Sequence, residues 1–392
     1  MRGDPILLHA ACALGLEEAL VAELGKIGAE DVRVGRGGVN FTGDARVLSD
    51  ALLRLRSAVR IASFIAGGRV NDSRDLGDLA ASVDWRRHLR TGQTISCEAT
   101  ARDSCFNHTG YAALVVKDGL VDRLRRDTGG RPDVDGDRPD LLVKAIIRGD
   151  SAELWRDESG ESLHKRGYRA RTAKSPLNEA LAAGLLLLTG YDGSQPIADP
   201  MCGSGTFVIE AAMIALRRAP GLIGRDYAYV RRPEFDRTAF SEARRAIEAE
   251  AIPSVPFRSE GSDRHPGAVA LARRDAEAAG VADACVFVKA DAAERTPENG
   301  ARLIYTNPPY GIRLEEGGDP GGSWKALGGY LRRVPSSTAF VLCGAPELSR
   351  LVGMKASRRY PAMNGQLECR LLRYDVFAAK PDSAPVADPP QD

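Results

Sequence analysis

From residue 175 onward the sequence alternates short apolar runs with amphipathic stretches, and this constrains the fold more than any other feature of the chain. The runs at 195–198, 257–261, 284–289, 303–306 and 338–343 have strand character. The stretches at 206–217, 266–279, 324–333 and 346–351 read as helices. Strands alternating with helices need crossover connections, so the pattern predicts a mainly parallel sheet with helices packed on it. Ligands bind such a sheet just beyond the carboxyl ends of its strands, so the residues at those ends decide the chemistry.

The first strand end reads Asp199-Pro200-Met201-Cys202-Gly203-Ser204-Gly205-Thr206 and opens a helix. Gly203 and Gly205 let the backbone pass close to a ligand with no side chain between them. A dinucleotide site is disfavoured: Val208 stands where the third small residue of GxGxxG belongs, and no acidic residue follows at the expected interval. The next two strand ends carry Asp263, suited to two ribose hydroxyls, and Asp291, suited to an adenine amino group. Singly, either aspartate reads as a helix cap or turn residue. Together with Asp199 and the glycine turn they describe a pocket for an adenosyl ligand. No lysine-bearing phosphate loop is present, so ATP fits poorly.

The following strand is halted by Asn307-Pro308-Pro309-Tyr310. Proline lacks an amide donor and turns the residue before it away from helix, so the chain stops stiffly and cannot pair onward. The Asn307 side-chain oxygen and the Pro308 carbonyl are then two fixed acceptors, which suit an amino group with two N–H bonds. Tyr310 can stack on a planar base beside them. An exocyclic amine conjugated with its ring is a poor nucleophile. Holding both protons aims its lone pair at an electrophilic methyl, an orientation effect worth about 7–11 kcal/mol. A rigid proline turn without chemistry is the plainer alternative, disfavoured by the neighbouring strand ends.

A chain of 392 residues exceeds one ordinary core, so two or three domains are expected. Residues 1–66 read as strand, helix, strand, strand, helix, strand, the order of a ferredoxin-like unit. Residues 67–157 form a second α+β unit, with a strand at 94–101, a basic amphipathic helix at 112–126 and a closing hairpin over Gly149-Asp150. Residues 158–174 are a basic junction in which Lys165, Arg166, Tyr168 and Arg169 are candidates to face RNA or cofactor. An apolar helix over 178–188 leads the domain of 175–379, in which Asn364-Gly365 marks a hairpin turn before a strand at 367–377. Residues 380–392 read as a disordered tail. The inserted segment 220–256 carries Arg225, Tyr227, Tyr229, Arg231 and Arg232, and suggests the border of an RNA cleft as readily as a packing insertion.

The 43% hydrophobic and 27% charged content is that of a soluble globular protein. A net charge of +1 gives no global nucleic-acid signature, although opposed local clusters can cancel. Seven cysteines without CxxC spacing and five dispersed histidines argue against a metal site or a disulfide framework. The start lacks a secretory pattern and the longest apolar run, 181–188, is short of a membrane span. A cytoplasmic protein with no membrane partner is expected.

DPMCGSGT at 199–206 followed by TNPPYG at 306–311 resembles class I S-adenosylmethionine-dependent methyltransferases acting on amino groups. LHKRGYR at 163–169, SPLNEALAA at 175–183 and SCFNHT at 104–109 narrow the resemblance to the THUMP-domain RNA guanine-N2 methyltransferases. These are the RlmL-type 23S rRNA enzymes and their tRNA-acting relatives, and the resemblance spans nearly the whole chain apart from the tail. It implies an α/β fold: a Rossmann-like class I methyltransferase domain preceded by α+β ferredoxin-like and THUMP domains. It implies S-adenosyl-L-methionine as cofactor, no metal, and direct in-line transfer to the N2 amine of a guanine in 23S rRNA, or alternatively tRNA. By motif position, Asp199, Pro200, Cys202, Gly203, Gly205 and Thr206 would line the cofactor's methionine part, Asp263 the ribose and Asp291 the adenine. Ser175, Pro176 and Asn178 would close over the cofactor, and Asn307, Pro308, Pro309 and Tyr310 would hold the guanine. The family's larger bacterial members carry a second methyltransferase domain, which this sequence does not contain. Adenine-N6 and glutamine-amide methyltransferases use the same strand-end logic with different appended domains. A non-catalytic RNA-binding protein and a dehydrogenase are the readings from other classes.

Overall fold

The computed structural model describes residues 5–169, 177–310 and 319–378. Its N-terminal half runs β1 (Ile6–Cys12), α1 (Glu17–Lys26), β2 (Glu30–Gly35), β3 (Gly38–Gly43), α2 (Ala45–Arg54) and β4 (Ala58–Arg69). It continues through α3 (Ser73–Ser82), β5 (Ile95–Arg102), α4 (Thr109–Thr128), β6 (Leu141–Arg148) and β7 (Ser151–Asp157). Capping sets the helix starts: the Asp44 carboxylate accepts from the amides of Arg46 and Val47 at α2, and Asp72 does the same for Arg74 and Asp75 at α3. All seven strands join one sheet, in the order β2-β3-β1-β4-β7-β6-β5.

Strand β4 ties the two N-terminal units together. Its first residues pair with β1 and its later ones, to Arg69, with β7, so the sheet runs unbroken through residue 66. The cores remain separate. Leu8, Leu20, Phe41 and Leu52 belong to one cluster, and Trp85, Leu120, Val143 and Leu154 to another.

The C-terminal half runs α5 (Glu179–Leu188), β8 (Ile197–Asp199), α6 (Thr206–Ala215), α7 (Arg237–Ala249), β9 (Ser259–Asp263), α8 (Pro266–Ala278) and β10 (Cys285–Lys289). It ends with β11 (Leu303–Thr306), α9 (Pro320–Arg332), β12 (Ser337–Cys343), β13 (Arg358–Asn364) and β14 (Leu367–Val376). The sheet order is β10-β9-β8-β11-β12-β14-β13, parallel from β10 to β12, with β14 antiparallel to β12. Strand side chains alternate between the two faces. Ile197 and Tyr305 join the core under α5, while Ala198 and Ile304 join the core under α9. The stretch expected as a helix at 346–351 is a 3-10 turn at Leu348–Val352, ended by Gly353 in the left-handed conformation; the run is too short to propagate an α-helix. The expected tail at 380–392 lies outside the described residues.

The ferredoxin-like unit packs directly on the C-terminal half. Leu16 and Leu20 share one cluster with Leu181 and Leu185, and a Cβ on Gly184 would stand 2.4 Å from Leu16 Cδ1. The 220–256 segment straps the halves together. Arg54 makes a bidentate pair with Glu250 beyond α7, at 2.5 and 2.6 Å. The Arg225 guanidinium donates to the carbonyls of Glu161, Ser162, Leu163 and Lys165. Tyr227 Oη donates to the Leu52 and Gly221 carbonyls, Tyr229 packs on Phe235 and Phe240, Arg231 donates to the Pro139 carbonyl, and Arg232 pairs with Glu158. These side chains face protein, which favours the packing reading of this segment over an RNA border. Among the described residues no helix is long and apolar enough to cross a membrane, and no cluster of His, Cys, Asp or Glu could hold a metal ion.

Candidate active site

The strand order reverses between β8 and β11, and the crevice beyond their carboxyl ends gathers the motif residues. Asp199 ends β8, is buried, and accepts from the Met201 amide at 3.1 Å. Burial pushes its carboxyl up to about 7, and the nearby Asp263 adds to the rise. Asp263 ends β9 and clasps the glycine turn: one oxygen accepts from the Gly203 amide at 2.9 Å, the other from His265 at 2.9 Å. Asp291 stands just past β10 and accepts from the Ala293 amide at 2.8 Å. A carboxylate offers about four acceptor directions, so these bonds leave capacity for ligand hydroxyls or an amino group.

The two glycines of the turn do different work. Gly203 has φ +53°, and a Cβ there would meet nothing within 4 Å, so the backbone borders open space. Gly205 has φ +78°, and a Cβ would stand 2.7 Å from the Phe287 ring, so this glycine lets the turn pack on β10.

At the end of β11 the half-buried Asn307 holds its Oδ1 out of solvent with no hydrogen-bond partner among the described residues. A buried acceptor left unmade costs about 1–3 kcal/mol, which a ligand N–H would recover. The buried Trp324 indole donates to the Pro309 carbonyl at 2.9 Å and fixes the proline turn. Asn364 Nδ2 donates to the Tyr310 hydroxyl at 3.1 Å. Sequence reasoning missed both supports. Trp324 read only as part of a helix, and Asn364 only as turn chemistry.

Several expected site residues are engaged within the protein. Cys202 is buried in the core between α6 and α8, and burial, helped by Asp199 and Asp263, raises its thiol well above the ordinary value. The Thr206 hydroxyl accepts from Arg169, and the Asn178 side-chain oxygen caps α5 through the Leu181 amide at 2.7 Å. Pro200 is buried, and Ser175 lies outside the described residues. Arg166 and Tyr168 are buried and cannot face RNA in this arrangement: the Tyr168 hydroxyl donates to Glu210 at 3.2 Å, and Arg166 lies 3.5 Å from the same carboxylate while donating to the Arg56 carbonyl. Arg169 donates to the Leu177 carbonyl at 3.1 Å and faces Glu179 at 3.5 Å. The described part of the basic junction, 158–169, is therefore largely an internal anchor onto α5 and α6. Of the four candidates, Lys165 keeps an exposed ammonium, paired with Glu161 at 2.9 Å.

Family models match the chain in three places: an RlmL ferredoxin-like domain over residues 8–62, a THUMP domain over 70–156, and an RMKL-like methyltransferase domain over 166–373. The chain is 37% identical over 403 residues to the Ribosomal RNA large subunit methyltransferase K/L of Syntrophotalea carbinolica, covering 98% of this chain and 56% of that protein. It thus spans little more than half the length of that curated relative. Among solved structures, SMU.472, described as a methyltransferase complexed with SAH, superposes with a TM-score of 0.86 at 26% identity, over 96% of this chain and 100% of that one. A protein from Listeria monocytogenes, described as a predicted N6-adenine-specific DNA methylase, superposes with a TM-score of 0.85 at 28% identity, over 95% and 97% of the two chains.

Proposed function

Because this chain belongs to the RMKL-like methyltransferase family and carries an RlmL ferredoxin-like and a THUMP domain, we propose that it methylates the exocyclic N2 amine of a guanine in RNA, 23S rRNA before tRNA. The observation that carries the reading is the buried Asn307 Oδ1, without a hydrogen-bond partner among the described residues, at the end of β11, next to Pro308 and within the crevice that Asp199 and Asp263 border. The rRNA named for the Syntrophotalea relative supports RNA as the substrate class.

The residues present fit S-adenosyl-L-methionine as cofactor. Gly203 borders open space, and three carboxylates end successive strands with acceptor capacity remaining. Asp199 would hold the methionine amine, Asp263 the ribose hydroxyls and Asp291 the adenine amine. When bound, the cofactor would supply an electrophilic methyl group: the substrate nitrogen would take it in line as the sulfonium C–S bond breaks, S-adenosylhomocysteine would leave, and the surplus proton on nitrogen would pass to water. Asn307 Oδ1 and the Pro308 carbonyl accept the two N–H bonds of the target amine and orient its lone pair. The Pro309 carbonyl already accepts from the Trp324 indole, which supports these two as the acceptor pair. Tyr310 stacks the flipped base. With Arg166 and Tyr168 buried, the RNA grip falls to the THUMP unit and to exposed groups such as Lys165.

The name of the Listeria structure favours one second reading, transfer to the N6 amine of adenine, which the same acceptor pair would hold. Two measurements test the proposal. S-adenosylhomocysteine should raise the melting temperature while NAD leaves it unchanged; the reverse result removes the cofactor assignment. Label from S-adenosylmethionine should enter RNA and not duplex DNA; label in DNA alone would replace the guanine reading with the adenine one.

A further inference from the structure

We propose that Asn364 is a positioning residue for methyl transfer, acting through Tyr310, and that the β1–α1 turn of the ferredoxin-like unit is its buttress. The inference rests on the reading that Tyr310 stacks the target base. The Tyr310 ring is restrained at two places. Its edge lies against Gly344, where a Cβ would stand 3.2 Å from Tyr310 Cδ2 and 2.7 Å from Leu367 Cδ2, so the ring packs closely on bare backbone there. Its hydroxyl accepts from Asn364 Nδ2 at 3.1 Å, at the tip of the β13–β14 hairpin. A tyrosine has two rotatable bonds: the hydrogen bond at the far end of the ring holds the swing about Cα–Cβ, and the contact of the ring edge with Gly344 limits rotation about Cβ–Cγ, the axis on which the hydroxyl oxygen lies.

The hairpin is braced from outside its own domain. The Met363 amide, one residue before Asn364, donates to the Leu14 carbonyl at 3.1 Å, which joins the hairpin to the chain between β1 and α1. Gly15 has φ +93°, and a Cβ there would stand 2.0 Å from the Pro361 carbonyl oxygen, so the turn presses on β13 with no room for a side chain. Glu17 in turn holds that loop, its carboxylate accepting from the Gly15 amide at 2.7 Å and the Gly37 amide at 2.8 Å. The chain of contacts runs from Glu17 through Gly15 and Leu14 to Met363, Asn364 and the Tyr310 hydroxyl. A ring free to swing about Cα–Cβ would present the stacked amine at a spread of positions, so loss of the hydrogen bond falls on the oriented step rather than on cofactor binding.

The test is a double-mutant cycle with Asn364→Ala and Tyr310→Phe, which removes the hydroxyl and keeps the ring. Each single variant should lower kcat about tenfold with cofactor Kd unchanged, and the double variant should be no worse than either, because both remove one hydrogen bond. Losses that multiply, or an Asn364→Ala enzyme with full kcat, overturn the proposal. NMR of protein carrying ring-labelled tyrosine reads the contact without activity, with the Tyr310 signal assigned by its disappearance in Tyr310→Phe. Asn364→Ala should shift that signal and leave the tyrosines remote from the hairpin in place; an unmoved signal overturns the proposal whether or not RNA is methylated. Glu17→Ala should shift it too, and if it does not, the buttress is removed from the account. A wild-type protein that methylates no RNA, yet whose Tyr310 signal moves in Asn364→Ala, refutes the functional reading and leaves the contact standing.

Discussion

Asp199 carries the pH dependence of this site. Its carboxyl, raised to about 7 by burial, prefers the neutral form in the empty protein. Ionised Asp199 therefore costs stability above about pH 7, a cost that fades as pH falls toward the ordinary carboxyl range. The cofactor-free protein should thus gain stability between pH 8 and about 5.5 relative to Asp199→Asn, read as the difference in melting temperature. A cationic ligand group needs the carboxylate. Cofactor affinity should consequently fall below about pH 7, by up to tenfold per unit, in the wild type and not in Asp199→Asn. Asn307→Ala should lower methyl transfer by about a hundredfold or more while leaving the cofactor Kd unchanged, since it removes an acceptor aimed at the substrate amine. At this scale the sequence is informative where a residue ends a strand. Asp199, Asp263 and Asn307 could be placed because periodicity located the ends. Arg166, Tyr168 and Cys202 could not, because a basic or sulfur-bearing side chain looks the same in sequence whether it faces solvent or a buried carboxylate.

Among elements, the proline turn depends on α9. Trp324→Phe keeps an aromatic ring but removes part of the buried bulk and leaves the Pro309 carbonyl without its donor, which should destabilise the protein by at least about 1–3 kcal/mol, measured by denaturant unfolding. Transfer should fall with it, because the turn sets where Asn307 sits. The alternating strands and helices were legible because each buries one face or both. The helix α7 was not, because its segment was read by its arginines and tyrosines rather than by the spacing that buries Ala243 and Ile247. The 3-10 turn after β12 is a boundary effect that apolar periodicity over so few residues cannot resolve.

In the whole molecule, the order of the three units followed from pattern, but their union did not. A strand that pairs with β1 along one stretch and β7 along the next makes contacts distant in sequence, and those leave no local signal. The consequence is mechanical. The ferredoxin-like unit and the C-terminal half share one hydrophobic cluster and are joined by the Arg54–Glu250 pair and the Tyr227–Leu52 hydrogen bond, so they should unfold in a single calorimetric transition. Arg225→Ala, which removes the charged donor from four carbonyls, should lower its midpoint by the equivalent of about 1.5–3 kcal/mol. The central claim is tested most directly by incubating the protein with labelled S-adenosylmethionine and unmodified 23S rRNA or tRNA, then digesting each RNA to nucleosides, with Asn307→Ala as control. N2-methylguanosine from rRNA, absent with Asn307→Ala, is the result expected. Label in a different nucleoside, or N2-methylguanosine formed undiminished by Asn307→Ala, would contradict the account.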